Sequence, residues 1–553
     1  MSQTTKDNLY IEYLAWQQRR LKDAIVYFKN SNQDQFGLLR DLFLYNWLQR
    51  EVKPPHKKAV LALAFPKLSE ELTNLMLTTW DNSKYLQGLI AYWHSQKSSL
   101  QRKESIENLL AKHGGDISLA VDDILATWQK LALFKQPHKE AFREILEKQK
   151  KRGAEVGGDI DKERAAIIDR LPDSFNWDSE FQKVGIIPHM GCAKNCRHCM
   201  FVWRQPIKNK VDAKLLFKPI NSATKSVLFT GGDLDRHMPE FYRAIASMET
   251  VSVFAILLNG AFATTLSETE ARFLEINKAL EKRKKNFQLA KVILQISFDE
   301  YHQEILSDEK GELKERISVV NIANIVTTSL KYPQIQLVLL HKQNRLNFSE
   351  NLIKVGLFDR LNKTLTAMGY PVVNIDWHTS PRKKADPANP THKGGVIRDV
   401  IFSLQGFSDQ PIHMMSSTID AYGRAALLDP SEYINERDYL DYILANGPPD
   451  SEQFDIDPMV WYDGSVTLFS AAHVWVGNII EEEGVFARYK KDPLLHALRQ
   501  FDKSLLGYYA EADNDLETLI KSATGPHHLF HLLTQSAAMR LHMTKRLVEN
   551  RNL

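Results

Sequence analysis

Residues 251–302 read VSVFAILLNGAFATTLSETEARFLEINKALEKRKKNFQLAKVILQISFDEYH, and their periodicity decides the fold. Val251 to Ala263 is the longest apolar stretch of the chain. It is broken by Ser252, Asn259 and Gly260, is too short to span a bilayer, and predicts a buried strand. LSETEARFLEINKALEKRKKN follows with helical apolar spacing. Ser267 and Glu270 stand in a capping-box arrangement at its start, and a basic run lies at the negative end of the helix dipole. Lys291–Asp299 then predicts a second strand. Strand, helix and strand in this order predict a parallel pair joined by a crossover. Outward from this unit, Val184–His189, Lys225–Asp233, Ile335–Lys342 and Val372–Ser380 are further β-branched runs, and Ser349–Met368 has helical spacing between the last two. Six such runs predict an α/β fold on a parallel sheet.

The chain has three cysteines in 553 residues, Cys192, Cys196 and Cys199, all in GCAKNCRHCMF (191–201). An odd, small number argues against a secreted disulfide framework. The spacing C-x3-C-x2-C suits a metal. Structural zinc wants four protein ligands, so a histidine such as His189 or His198 would have to complete a zinc site. A cubane iron–sulfur cluster is normally held by four thiolates. Three leave one iron open to a substrate or cofactor.

CAKNCRHC resembles the signature of the radical S-adenosylmethionine enzymes, C-x3-C-x-φ-C with φ usually aromatic; His198 occupies φ. The resemblance spans about residues 180–405. It implies a partial (β/α)6 TIM-type barrel, one [4Fe-4S] cluster on Cys192, Cys196 and Cys199, and S-adenosylmethionine chelated by the open iron. In that family the reduced cluster passes an electron to the sulfonium, and a 5′-deoxyadenosyl radical abstracts a substrate hydrogen. It also implies an electron donor such as flavodoxin or ferredoxin.

In such barrels active groups gather at the C-terminal ends of strands. The second run ends FTGGD, where Gly231, Gly232 and Asp233 resemble the family's GGE motif for the S-adenosylmethionine amine, with Asp in place of Glu. In the fourth run, alternation puts Gln295, Ser297 and Asp299 on one face and Ile296 and Phe298 on the other. By resemblance, His198, Ser297 and Asp299 would contact S-adenosylmethionine. The sixth run reads VVNIDWHTS. Asn374, Asp376 and His378 share a face, and three polar residues together suit a polar cavity. Asn374 is expected to contact substrate, and Asp376 and His378 to act on it, His378 as a proton carrier. With every thiol assigned to the cluster, Tyr301 or an external donor is expected to quench a substrate radical.

Residues 1–175 are expected to form a helical N-terminal domain with five tryptophans, Trp16, Trp47, Trp80, Trp93 and Trp128. SIENLLAKHGGDISLAVDDILATW within it looks faintly like a ubiquitin-associated module. Residues 406–553 are expected to form a small α+β domain with a helical tail. MMSSTIDAYGRAALL and MVWYDGSVTLFSAAHVWVGNIIEEEGV each predict a small hairpin. The second resembles the SPASM extension of the same family, but without its cysteines. His527 and His531, at i and i+4, are expected to be a surface pair. Lys plus Arg (71) against Asp plus Glu (68) leaves a net charge of +3, so no nucleic-acid partner is expected. MSQTTKDNLYIEY lacks the basic and apolar regions of a signal peptide, so a cytoplasmic protein without a membrane is expected. A radical enzyme acting on a ribosomal peptide or protein is the leading expectation. Tailoring of a small metabolite, or a zinc-bound or degenerate barrel that binds a partner without chemistry, are the alternatives.

Overall fold

The computed structural model describes residues 155–177, 181–194, 196–200, 211–284, 287, 289–299, 301–303, 305–307, 313–342, 357–380, 396–428, 433–449, 454, 456–469 and 471–551, with Gly114 and Glu147. The tryptophans expected as N-terminal anchors and the ubiquitin-associated-like phrase lie outside the described residues, apart from Gly114.

The chain folds as an α/β protein on an eleven-stranded, mostly parallel open sheet. After helix α1 (Asp159–Asp169) come β1 (Val184–Ile187), α2 (Ala213–Ala223), β2 (Ser226–Phe229), α3 (Met238–Ser247), β3 (Val253–Leu258), α4 (Leu266–Lys284) and β4 (Lys291–Ser297). A small hairpin of β5 (Ile305–Ser307) and β6 (Leu313–Glu315) precedes α5 (Val319–Ser329), β7 (Ile335–Lys342) and α6 (Leu357–Ala367). Strands β8 (Val372–Ser380), β9 (Val396–Leu404) and β10 (Phe407–Ser417) follow, then α7 (Arg437–Asn446), β11 (Pro458–Trp461), β12 (Ser465–Leu468) and β13 (Gly477–Asn478). The tail is α8 (Val485–Lys491), α9 (Pro493–Gln500), α10 (Ser504–Ala512), α11 (Leu516–Ser522), α12 (Pro526–Leu533) and α13 (Ala537–Arg551).

The sheet order is β13-β12-β11-β1-β2-β3-β4-β7-β10-β9-β8. The seven strands from β11 to β10 run parallel, and each end of the sheet is finished by antiparallel strands. Helices cover the sheet, so central strands are apolar on both faces; all four residues of β1 are buried. Phe254, Ile256, Leu294, Ile296 and Leu339 from the strands meet Phe241, Phe273, Ile276 and Ile322 from the helices in the main core.

Five of the six expected parallel strands are in place. The sixth run makes no parallel pair: β8 pairs antiparallel with β9 at the sheet edge, and β10 takes the sixth parallel position beside β7. The boundary expected near residue 405 therefore falls in the turn between β9 and β10, inside the sheet. The phrase at 459–485 does form a hairpin, with Met459 opposite Thr467, and its first strand extends the main sheet beside β1. The phrase at 414–428 does not. It completes β10 and then turns into a 3-10 helix, Gly423–Leu427.

Helix α1, expected in the N-terminal domain, is tied to the C-terminal helices. Arg540 donates to both Asp161 oxygens at 2.7–3.0 Å. Arg164 pairs with Asp492 and donates to the Trp475 carbonyl at 3.0 Å and Thr544 Oγ1 at 2.9 Å. Such buried pairs fix orientation; their desolvation cost offsets much of their attraction.

Candidate functional site

A cavity of about 340 Å³ opens at the C-terminal ends of the parallel strands. Met190 after β1, Thr230 after β2, Leu258 and Asn259 at β3, Ser297 at β4, Lys342 at β7 and Trp461 at β11 all line it. Cys192, Cys196 and Cys199 line the same cavity, and none forms a disulfide. The strand ends thus bring the three thiols into one cavity with Gly231, Gly232, His198, Ser297 and Asp299.

The loop that carries the thiols is held from three sides. Gly232 N donates to the His189 carbonyl at 3.0 Å and Asp233 N to the Gly191 carbonyl at 2.8 Å. A Cβ on Gly232 would lie 2.3 Å from the Gly191 oxygen, and Gly231 has φ +134°, so both positions require glycine. From the second side, Arg316 donates to the Lys194 carbonyl and, through Nε, to the Tyr301 carbonyl at 3.2 Å. From the third, Arg424 N donates to the Cys199 carbonyl at 2.9 Å, and Asp420 N to Met200 Sδ at 3.2 Å. Asp233 does not line the cavity; its Oδ1 accepts weakly from Asp235 N at 3.4 Å.

Alternation along β4 sends Ile296 and Phe298 into the core and Ser297 and Asp299 to the cavity. Asp299, 1% exposed, sits between two imidazoles. Its Oδ2 is 2.9 Å from His302 Nδ1 and 3.6 Å from His198 Nε2. Its Oδ1 accepts from the backbone N–H groups of Tyr301 and His302, at 3.0 and 2.9 Å. Burial works against the Asp299 charge, but His302, His198 and the hydrogen bonds outweigh it and hold the carboxyl well below its usual range. Burial would lower His302, yet Asp299 and then Cys196 push it up to about 10. Burial wins at His198, which falls to about 3 despite Asp299. At Cys196, burial opposes the thiolate and the His302 ring favours it, with a net lowering. Burial raises the Cys192 thiol.

Four site expectations need correction. Tyr301 is 1% exposed and does not line the cavity. Its ring stacks on His198 at 4.6 Å and joins a small core with Ile419 and Tyr433. Asn374 and Asp376 are exposed on the edge strand and do not reach the cavity. Asn374 has φ +52°, and the β8–β9 register shifts between Val373 and Asp376, so the strand carries a bulge where the polar side chains turn to the surface. His378 stands on the same edge strand opposite Asp399, and its side chain lies outside the described residues. His531 is no surface residue: it is 6% exposed, lines the cavity and packs edge-on against Tyr422, while His527 is half-buried.

Sequence reasoning passed over His302, Arg316, Lys342, Tyr422 and Arg424. Lys342 ends the fifth predicted strand and His302 closes SFDEYH, so their position at strand ends was a usable signal. Arg424 and Tyr422 had none. Against this geometry, comparison with known proteins yields no matching family profile and no matching curated protein.

Proposed function

We propose that the protein is a radical S-adenosylmethionine enzyme whose parallel strands form a partial (β/α)6 barrel around one [4Fe-4S] cluster. The observation that carries this reading is the meeting, in one cavity, of the three cysteines of C-x3-C-x2-C, none in a disulfide, with the Gly-Gly turn of β2 and with Ser297 and Asp299 at the end of β4. The residues fit the cofactors. Gly231 and Gly232 keep side chains away from the backbone next to the thiols, and the buried His198 Nδ1 has no hydrogen-bond partner among the described residues. When bound, the cluster and S-adenosylmethionine supply reductive cleavage of the sulfonium and a 5′-deoxyadenosyl radical. Cys192, Cys196 and Cys199 would hold three irons, and His198, Ser297 and the turn at 230–232 would line the cofactor's place. Lys342, Tyr422, Arg424 and His531 on the other wall replace Asn374, Asp376 and His378 as substrate-facing candidates. A ribosomal peptide or protein is the proposed substrate, with flavodoxin or ferredoxin as electron donor. The hairpin of β11 and β12 is read as a cluster-free SPASM-like element.

A second reading is favoured by one contact. Histidines that bind zinc commonly give their other ring N–H to a carboxylate, and His302 Nδ1 lies 2.9 Å from Asp299 Oδ2. Cys192, Cys196, Cys199 and His302 would then make a structural zinc site. Iron and sulfide analysis of anaerobically purified protein separates the two. About four irons and four sulfides per chain are expected, lost on replacing all three cysteines by Ala. One zinc and no sulfide would select the second reading, and about eight irons would contradict a single cluster.

A further inference from the structure

Asp299 Oδ2 faces two imidazole nitrogens. His302 Nδ1 lies 2.9 Å away and His198 Nε2 3.6 Å away. Among the described residues, His198, Asp299 and His302 are the one group of three histidine, cysteine or carboxylate side chains whose ligand atoms all lie within 4.8 Å of one another. No cysteine belongs to it. Ligand atoms bound at about 2.0–2.2 Å to a tetrahedral ion stand about 3.3 Å apart, so an ion fits between the three with small side-chain movements.

The three side chains are held in place. Asp299 Oδ1 accepts from the N–H groups of Tyr301 and His302 at 3.0 and 2.9 Å, which leaves Oδ2 to the imidazoles. Gln303 grips the same residue. Its Oε1 accepts from Asp299 N at 2.9 Å, and its own N donates to the Asp299 carbonyl at 3.0 Å. The His198 ring stacks on Tyr301 at 4.6 Å and meets the His302 ring edge-on at 4.7 Å. Supports of this kind orient ligands and tighten metal sites. All three residues line the cavity, which supplies a path of entry and room for a further ligand. Two nitrogens and one oxygen suit a borderline ion such as zinc, whereas magnesium and calcium take oxygen sets.

We propose that His198, Asp299 and His302 form a mononuclear zinc site, separate from the cysteines, whose fourth position opens to the cavity and takes water or a carbonyl oxygen of the substrate. Three protein ligands and one open position are the pattern of catalytic zinc. The ion takes the place of the proton shared by His302 Nδ1 and Asp299 Oδ2, and that proton leaves to solvent. Through His198 the ion also clips the cysteine loop to the end of β4. The site uses no thiol, so it goes beyond the cluster reading and does not rest on it.

Cobalt(II) is the probe, because it enters zinc sites and its visible absorption reports coordination. The full-length protein with Cys192, Cys196 and Cys199 replaced by Ala is titrated after its circular dichroism has been matched to wild type. About one cobalt per chain is expected, with the absorption of a four- or five-coordinate ion, displaced by zinc. His198→Phe keeps a ring on Tyr301 and removes Nε2, and Asp299→Asn removes the charge. In the same background each is expected to weaken cobalt binding at least about a hundredfold. No cobalt on the folded protein, or binding that both variants leave unchanged, would overturn the proposal. Should the triple replacement fail to fold, zinc is measured beside iron and sulfide in cluster-loaded wild type. About one zinc per chain, lost in His198→Phe while iron is retained, is then expected; no zinc, or zinc that His198→Phe retains, overturns it. Iron and sulfide content decides the cluster reading separately, so either can fail without the other.

Discussion

Asp420 and His528 lie behind the Arg424 wall of the cavity and share Thr524. Its hydroxyl is 3.0 Å from His528 Nδ1 and 3.5 Å from Asp420 Oδ1. Burial disfavours the charge on both. Burial, with Glu436, raises the Asp420 carboxyl to about 6 against the opposing pull of His527 and Lys342, and burial alone lowers His528 to about 4. The two linkages have opposite signs. Asp420 binds its proton more tightly folded than unfolded, so the stability it confers is complete below its ordinary value and is lost as pH rises through 6. His528 binds its proton less tightly when folded, so its contribution is complete above 6.5 and is lost as pH falls towards 4. Each displacement is worth about 3 kcal/mol. In wild type the slopes oppose each other between pH 4 and 6.5. Urea unfolding across that window is expected to show stability falling with pH in His528→Asn and rising with pH in Asp420→Asn. Parallel slopes in the two variants would refute the account. Neither residue was legible in the sequence, because their burial depends on the docking of Tyr422 and Thr524 on His528 and His531 of α12. Ser297 and Asp299 were legible, because period-two alternation on a parallel strand leaves no other face for them.

At the scale of elements, the turn after β2 matters more for the cysteine loop than for the sheet. The Gly232 position touches the Gly191 and Met190 backbone, which an added methyl group would push aside. Overpacking of this kind costs about 1–3 kcal/mol. Gly232→Ala is expected to weaken cluster retention roughly ten- to hundredfold while leaving the circular dichroism spectrum and melting temperature close to wild type. Full iron content in that variant would show that the turn does not position the thiols. Element ends were less legible than element interiors. Helix α4 spans Leu266–Lys284 where its spacing predicted it, but Thr265 and Glu268 make the cap in place of Ser267 and Glu270, with Glu268 N 3.2 Å from Thr265 Oγ1. Its basic end also has another partner. Arg283 is buried and donates to the Ile245, Met248, Glu249 and Val251 carbonyls at 2.5–3.1 Å, closing the turn after α3 rather than answering its own helix dipole. A capping pattern two residues away looks the same in sequence, and only the docking of α3 on α4 tells where Arg283 goes.

Across the whole molecule, the repeat of strand and helix was readable because β1 to β4 and β7 carry apolar, largely buried runs between helical segments. The edge was not. VVNIDWHTS has the composition of a sixth parallel strand, and the polar face it offers turns to the surface because β9 and β10 complete a meander that carries β10 to the inner position. Charge and length say nothing about that exchange. Nor do they show that α1 docks on the C-terminal helices, which requires Asp161 and Arg540 to meet across nearly the whole described chain. No described helix is long and apolar enough to cross a membrane. The central claim is that the cavity at the strand ends cleaves S-adenosylmethionine, and it is tested most directly by incubating anaerobically reconstituted protein with S-adenosylmethionine and dithionite and separating the nucleosides. The account predicts release of 5′-deoxyadenosine by the wild type and none by the protein in which Cys192, Cys196 and Cys199 are Ala. Intact S-adenosylmethionine with a fully loaded, reduced cluster, or methylthioadenosine as the product, would contradict it.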